Sequence, residues 1–291
     1  MGPPVTATRY SDGPAVILVR RSVQLGQVQE TALVPLYARA LESRRKRPVL
    51  EDPKAVEIVD SIDWDFGRFG QRRRVVGCAL RSAMFDVWVR DFLASHPEGT
   101  VVEIGAGLNT RFERLDNGTV HWYDLELPDM VELRRRFFSD TGRRTTLAAS
   151  VLDPEWIETV RRSPGPYFLV AETVFAYLEE AQVKSALARI ASGFPQATIA
   201  LDTLGRRAVN AGNKDFVRRK MAARFAWACE DPLAIQNWNI GLRLVESRTV
   251  ADVPDCLWPR LSLLLRVNLR LLGRFFPKQM KVYQLSVFAG Q

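Results

Sequence analysis

The chain has 291 residues, of which 47% are hydrophobic and 25% charged, the composition of an ordinary globular protein large enough for a well-buried core. No stretch reaches the roughly 18 consecutive apolar residues of a bilayer-spanning helix, and the N-terminus lacks the basic, apolar, small-residue layout of a signal peptide, so the reading is cytoplasmic with no membrane span. The net charge of +8 is carried mainly by arginines spread along the chain, which reads as a solvated basic surface able to steer an anionic small molecule rather than as a nucleic-acid footprint.

Residues 1–25, rich in Gly, Pro and small residues, read as a loosely held arm. Apolar residues recur at helical spacing from Glu30 to Ser43. Asp52 followed by Pro53 predicts a capped helix to Ser61, and a third helix is expected over 75–95, with no convincing strand in the first hundred residues. From position 98 the pattern changes. Short β-rich runs at 100–104, 120–124, 145–149, 167–172 and 197–203 alternate with helical stretches, the rhythm of a parallel α/β sheet with right-handed crossovers. Residues 213–228 read as an amphipathic helix, 242–250 and 282–289 as strands. The segment 257–274 reads as a helix with Arg266, Arg270 and Arg274 on one face, packed on the sheet or on a second subunit, with a membrane-surface role as the lesser alternative. Cys78, Cys229 and Cys256 are too few and too far apart for a disulfide framework or a metal site, and read as small apolar fillers.

The strongest chemical signal is the run from Val101 to Phe112, in which a strand enters Gly105-Ala106-Gly107. Glycine there permits positive φ and close approach of a ligand, at the carboxyl end of the leading strand where open α/β sheets bind their ligands. Asp124 ends the next strand and can accept hydrogen bonds from both ribose hydroxyls. A nicotinamide enzyme would want a third glycine where Thr110 stands, so an adenosine cofactor without a phosphate fits better: S-adenosylmethionine. Ser150 to Asp153 would meet the adenine edge, with helix capping the plain alternative for Asp153. Glu172 at the end of the fourth strand would take the cofactor's amino group.

These stretches resemble the leucine carboxyl methyltransferase superfamily, within it the tetracenomycin polyketide O-methyltransferase-like branch. The matching pieces are 33–44, 50–66, 105–116, 122–134 and 171–180, with the run Gly105-Ala106-Gly107-Leu108-Asn109-Thr110-Arg111-Phe112 the most specific. The resemblance implies a class I, Rossmann-like sheet of seven strands with the last antiparallel. An N-terminal arm and helical cap would occupy 1–97, and a cofactor-binding core 98–291, with a lid around 206–230. It implies that Arg81 clamps the cofactor's carboxylate and that Gly105, flanked by Glu103, Ala106 and Gly107, lies beneath its methionine portion. Asp124 and Leu125 would hold the ribose, Ser150 and Val151 frame the adenine, and Glu172 face the amino group. Asn109 and Ser150 depart from the Asp residues of relatives, and the second departure weakens any reading of a phosphatase C-terminus as substrate.

Methyl transfer is an in-line displacement: a carboxylate needs no base, a phenol does. His96 and His121 both sit in structural positions, which tilts the reading toward an acidic small-molecule substrate, aromatic or polyketide-like. Tyr37, Arg39 and Tyr177, with Arg44 behind, are the residues expected to pin it. Phe216, Phe225 and Trp227 would wall the lid. The alternatives are a phenolic O-methyltransferase, then a nucleic-acid methyltransferase or a non-catalytic scaffold. No metal is expected, and a homodimer is compatible with all of this.

Overall fold

A computed structural model describes residues 21–22, 29–69 and 72–291; apart from Arg21 and Ser22, the predicted N-terminal arm lies outside the described residues. The seven strands β1 (Thr100–Ile104), β2 (His121–Glu126), β3 (Arg144–Ala148), β4 (Tyr167–Ala171), β5 (Thr198–Leu204), β6 (Leu242–Thr249) and β7 (Tyr283–Gly290) form one sheet in the order β3-β2-β1-β4-β5-β7-β6. The first five are parallel, and β7 runs antiparallel to both neighbours. The order reverses between β1 and β4, which opens a crevice at the carboxyl ends of those strands.

Side chains alternate across each strand, so each central strand feeds two cores. Val102 and Ile104 of β1, with Leu169 and Ala171 of β4, pack under helices Glu155–Val160 and Glu180–Gly193. Val101, Phe168 and Val170 face the other way, onto the 24-residue helix α3 (Arg72–Ser95). Glu103 shares the Val101 face, so its carboxylate is carried into the protein on the α3 side.

α1 (Gln29–Ser43) and α2 (Pro53–Ser61) form a cap with its own core of Leu33, Leu36, Ile58 and Phe66 against Leu108 and Met130. The side chain of Asp52 accepts from the Ala55 amide at 2.9 Å, as the Asp-Pro pair predicts. The expectation of no strand in the first hundred residues needs a small correction: Ile62–Asp63 pairs with Arg21–Ser22 as a two-residue ladder.

The helix expected over 213–228 is also corrected. α4 (Arg206–Arg218) begins earlier, and the chain then reverses at Lys220, whose φ is +57°. Residues 221–229 run back without regular structure. The cause is tertiary: Asn213 donates to the Phe225 carbonyl at 2.9 Å and accepts from its amide at 2.8 Å. The Phe225 ring lies where a Cβ on Gly212 would be, 2.5 Å from its Cε2. Periodicity in this stretch belongs to a returning strap, not to a continued helix. The predicted helix at 257–274 is shorter: α5 spans Leu263–Phe275 with Ser262 as N-cap, after a single turn at Trp258–Arg260.

Candidate active site

The loop after β1 is a closed unit. Gly105 and Gly107 have φ of +63° and +47°, a region that glycine enters without strain. The amides of Gly105 and Ala106 donate to the Leu125 carbonyl, that of Asn109 to Ala106, and that of Gly107 to Glu126 Oε2 at 2.7 Å. The carbonyls are held from outside the loop: Arg39 Nη2 donates to Leu108 at 2.8 Å, and Arg134 Nη1 to Gly107 at 2.8 Å and Asn109 at 3.0 Å. The loop therefore presents a fixed backbone in which the amides of Gly105, Ala106, Gly107 and Asn109 are already spent, a poor cradle for a diphosphate.

Behind the loop lies an alternating cluster of buried charges. Arg111 reaches Asp86 through Nε at 2.7 Å, Glu103 through Nη1 at 2.5 Å and Glu172 through Nη2 at 2.7 Å. Arg114 joins Asp86 to Asp52, and Asp52 pairs with Arg39. Glu172 also accepts from Arg81 Nε and Ser82 Oγ, each at 2.8 Å. Burial would raise its pKa, but Arg81, Arg111 and Arg39 hold it well below the usual carboxylate range. Glu103, with burial dominant and Glu172 and Asp124 near, is held above its ordinary value in spite of Arg111. Arg81 Nη1 donates to the Tyr283 hydroxyl at 3.2 Å. That hydroxyl in turn donates to Asp202, which accepts from the Thr173 amide at 2.8 Å. The network fixes Thr173 at φ +57°, directly after Glu172.

A cavity of about 450 Å³ runs over this floor, within the usual size range of small-molecule sites. Its walls include Arg81, Gly105 to Asn109, Leu125 to Leu127, Ser150, Val151 and Glu172. The lining also includes Phe69, Cys78, Tyr177, Phe216, Arg219 and Phe225, with Thr31 and Pro35 from the cap. Tyr177, Phe216 and Phe225 form a mutual cluster, with ring centroids 4.9 Å apart for Tyr177–Phe225 and Phe216–Phe225. Burial pushes the Tyr177 phenol up to about 12, so it stays protonated at neutral pH.

A family model described as leucine carboxyl methyltransferase matches residues 32–191, more than half of the chain. The chain belongs to the leucine carboxyl methyltransferase family. It is an S-adenosylmethionine-dependent methyltransferase, like the relatives it matches. One is the tetracenomycin polyketide synthesis O-methyltransferase TcmP of Streptomyces glaucescens, 33% identical over 237 residues, which cover 80% of this chain and 87% of that protein. Another is the S-adenosyl-L-methionine-dependent methyltransferase dpfgK of Gibberella zeae, 25% identical over 252 residues, covering 79% and 84%. In fold the chain is similar to a DUF574 family protein from Streptomyces avermitilis, with a TM-score of 0.56 at 14% identity, covering 91% of this chain and all of that one.

Within this methyltransferase most of the residues expected to bind the cofactor line one cavity: Arg81, Glu103, Gly105, Ala106, Gly107, Leu125, Ser150, Val151 and Glu172. Asp124 is the exception. It lies opposite Glu103 in the sheet, is buried, and pairs with Arg134 at 2.8 Å and Arg144 at 2.7 Å, so it does not reach the cavity. The carboxylate that does is Glu126, two residues further on the same face of β2. Sequence reasoning missed it by ending the strand too early. Its Oε2 holds Gly107 and its Oε1 accepts from Leu127 at 2.7 Å, and burial pushes its pKa up.

Asp153 is not a helix cap; it accepts from the Ser150 amide at 2.8 Å and fixes the turn that carries Ser150 to the cavity. Tyr37 stacks on Phe66 in the cap core, 5.0 Å between centroids, away from the cavity. Arg39 lines it, but its guanidinium is committed to Asp52 and Leu108. Arg44 is at the surface with Asp60. Trp227 packs on Trp238 instead of walling the site. Cys256 is exposed and not a filler, and Cys78 lines the cavity.

Proposed function

We propose that this methyltransferase esterifies a carboxyl oxygen of an aromatic, polyketide-like acid. The observation that carries the reading is the pairing of an aromatic acceptor chamber with a lack of an available base. Among the described residues lining the cavity there is no histidine. The carboxylates there are engaged, Glu103 and Glu172 with arginines, Glu126 with backbone amides, Asp129 with the Met130 amide and Asp215 with Arg219. A carboxylate acceptor is already a nucleophile and needs no proton removed.

S-adenosylmethionine supplies, when bound, a methyl group on a sulfonium centre. The donor set fits that molecule: a cation for its carboxylate in Arg81, an acid for its amino group in Glu172, an acid for its ribose in Glu126, and glycine-loop amides at 105, 106, 107 and 109 already spent within the protein. Glu172 has accepted three hydrogen bonds and retains room for a fourth. Ser150 and Val151 would border the adenine. Across the cavity the neutral Tyr177 hydroxyl can donate to the acceptor's carboxylate without taking its proton. Phe69, Phe216 and Phe225 would stack on the rings and exclude water, which sharpens alignment.

The test is transfer of labelled methyl to a panel of polycyclic aromatic acids, followed by mild alkali. Release of the label as methanol is expected, since an ester hydrolyses and an aryl ether does not. Alkali-stable label would instead establish the phenolic reading, and Asp215 beside Phe216 would then be the base to examine. Absence of any calorimetric response to S-adenosylmethionine would overturn the enzyme assignment for both readings.

A further inference from the structure

Among the described residues, the exposed large apolar side chains concentrate outside the cavity lining, on α5. Leu263, Leu264 and Phe275 are 75%, 71% and 63% exposed, and Val267 and Leu271 are exposed between them. At 100° per residue these five side chains occupy one arc of about 120°. Leu269 points the other way, buried in the core that also holds Leu261 and Leu285. Arg266, Arg270 and Arg274 follow one another at four-residue spacing along a border of the arc, and Lys278 and Lys281 continue beyond it. Between Leu257 and Val282 there is no Asp or Glu. Two of the cations are held in place: Arg266 donates to the carbonyls of Leu261 and Pro259, and Arg270 lies over the Trp258 ring at 5.3 Å.

We propose that α5 docks this methyltransferase on an anionic lipid surface, its leucines and Phe275 in the acyl boundary and its arginines and lysines at the headgroups. Charge decides between the occupants such a face could take. Two copies packed face to face would bring two rows of cations together with no carboxylate in the segment to pair them. Anionic headgroups supply the missing countercharge to every one of them, while the apolar arc enters the boundary that bare cations would not. Topology adds a functional sense. α5 lies between the end of β6 at Thr249 and the start of β7 at Tyr283, both at the carboxyl edge of the parallel strands, where residues lining the cavity also lie. A docked molecule would hold that edge close to a lipid phase, a source of amphipathic acids too apolar to reach it through water.

The experiment is co-sedimentation of the full chain with vesicles of phosphatidylcholine alone or with about 30 mol% phosphatidylglycerol. Binding to the anionic vesicles is expected to be at least about tenfold tighter, and to weaken as NaCl is raised from about 0.1 to about 0.5 M. The pairs Leu264→Asp with Leu271→Asp, and Arg270→Glu with Arg274→Glu, should each reduce it by about tenfold or more. Their affinity for S-adenosylmethionine should be unchanged, which separates loss of the face from loss of the fold. Failure of the unaltered chain to sediment with anionic vesicles would overturn the proposal. So would a dimer in sedimentation equilibrium that Leu264→Asp with Leu271→Asp dissociates, because the face would then belong to a second copy.

Discussion

Replacing Arg111 by Ala tests the claim that the crevice floor is held by one shared cation. The side chain is buried and touches three carboxylates, but they do not lose equally. Glu172 keeps Arg81, and Asp86 keeps Arg114. Glu103 keeps only the Asn109 amide, at 2.8 Å. One buried charge is thus left without a countercharge, which costs about 3–5 kcal/mol. That is a large share of the roughly 5–15 kcal/mol that holds a domain folded. The loss should also depend on pH. The folded-state pKa of Glu103 is already raised, so this group favours the fold below that pKa and disfavours it as pH rises through it. Removing Arg111 takes away a cause that lowers it and moves it further up. As pH is lowered from about 7.5 to about 5 the folded variant takes up this proton at a higher pH than the unaltered protein does, and the difference in stability shrinks. Glu172, whose pKa is depressed, contributes stability above its ordinary value and loses it only as pH falls further, so this window does not disturb it. Urea unfolding at both pH values measures the effect, and adding Glu103→Gln to the variant should recover a substantial part of it. A destabilisation below about 1 kcal/mol at neutral pH, or one that does not shrink in acid, would refute the shared-cation account.

Gly105→Val should abolish S-adenosylmethionine binding by calorimetry: the backbone there is left-handed, and the new Cβ would stand 2.5 Å from Val174 Cγ2. Glu126→Ala should weaken that binding by about tenfold to a hundredfold, the worth of one or two hydrogen bonds to a charged acceptor. Asp124→Ala should act first on stability, lowering it by about 3–5 kcal/mol in urea, because Arg134 is left buried without a countercharge while Arg144 keeps Glu113. If the two variants exchange these behaviours, the assignment of Glu126 is wrong. Tyr283→Phe should reduce cofactor affinity by about fivefold, through looser aim of Arg81, with little change in melting temperature. An unchanged affinity would show that Glu172 alone positions the guanidinium.

Strands and the glycine bend were legible because their signals are local. A β-rich run into Gly105, with Thr110 where a third glycine would stand, needs no knowledge of distant residues. The β2 carboxylate proposed for the ribose was nearly legible: Asp124 and Glu126 share a face of β2, and only the length of the strand separates them. Glu126 lies 19 residues after Gly107, and it is the last carboxylate before Pro128 ends the extended run. The strap at 221–229 was not legible, since what reverses it is the pairing of Asn213 with Phe225 across a turn that the periodic pattern ignores. Nor was the fate of the arginines. Composition suggested a basic exterior, yet Arg39, Arg111 and Arg134 are buried, with partners that lie from 8 to 69 residues away in the chain, as in Arg111–Glu103 and Arg39–Leu108.

Those buried arginines explain why so bare a loop can serve a nucleoside lacking phosphates. A glycine-rich turn that grips a diphosphate does so with free amides, and it can stay pliable because the ligand completes it. Here the amides of Gly105, Ala106, Gly107 and Asn109 are spent within the protein, and the carbonyls of Gly107, Leu108 and Asn109 are fixed by Arg39 and Arg134. The bend is held before any ligand arrives, so on the proposed reading its contribution is shape and close approach, and recognition would fall to the charged side chains Arg81, Glu126 and Glu172. The same arginines need Asp52 and Asp124 as counterions, which is why a carboxylate on the second strand can be indispensable to the site without facing it. It holds the arginine that holds the loop.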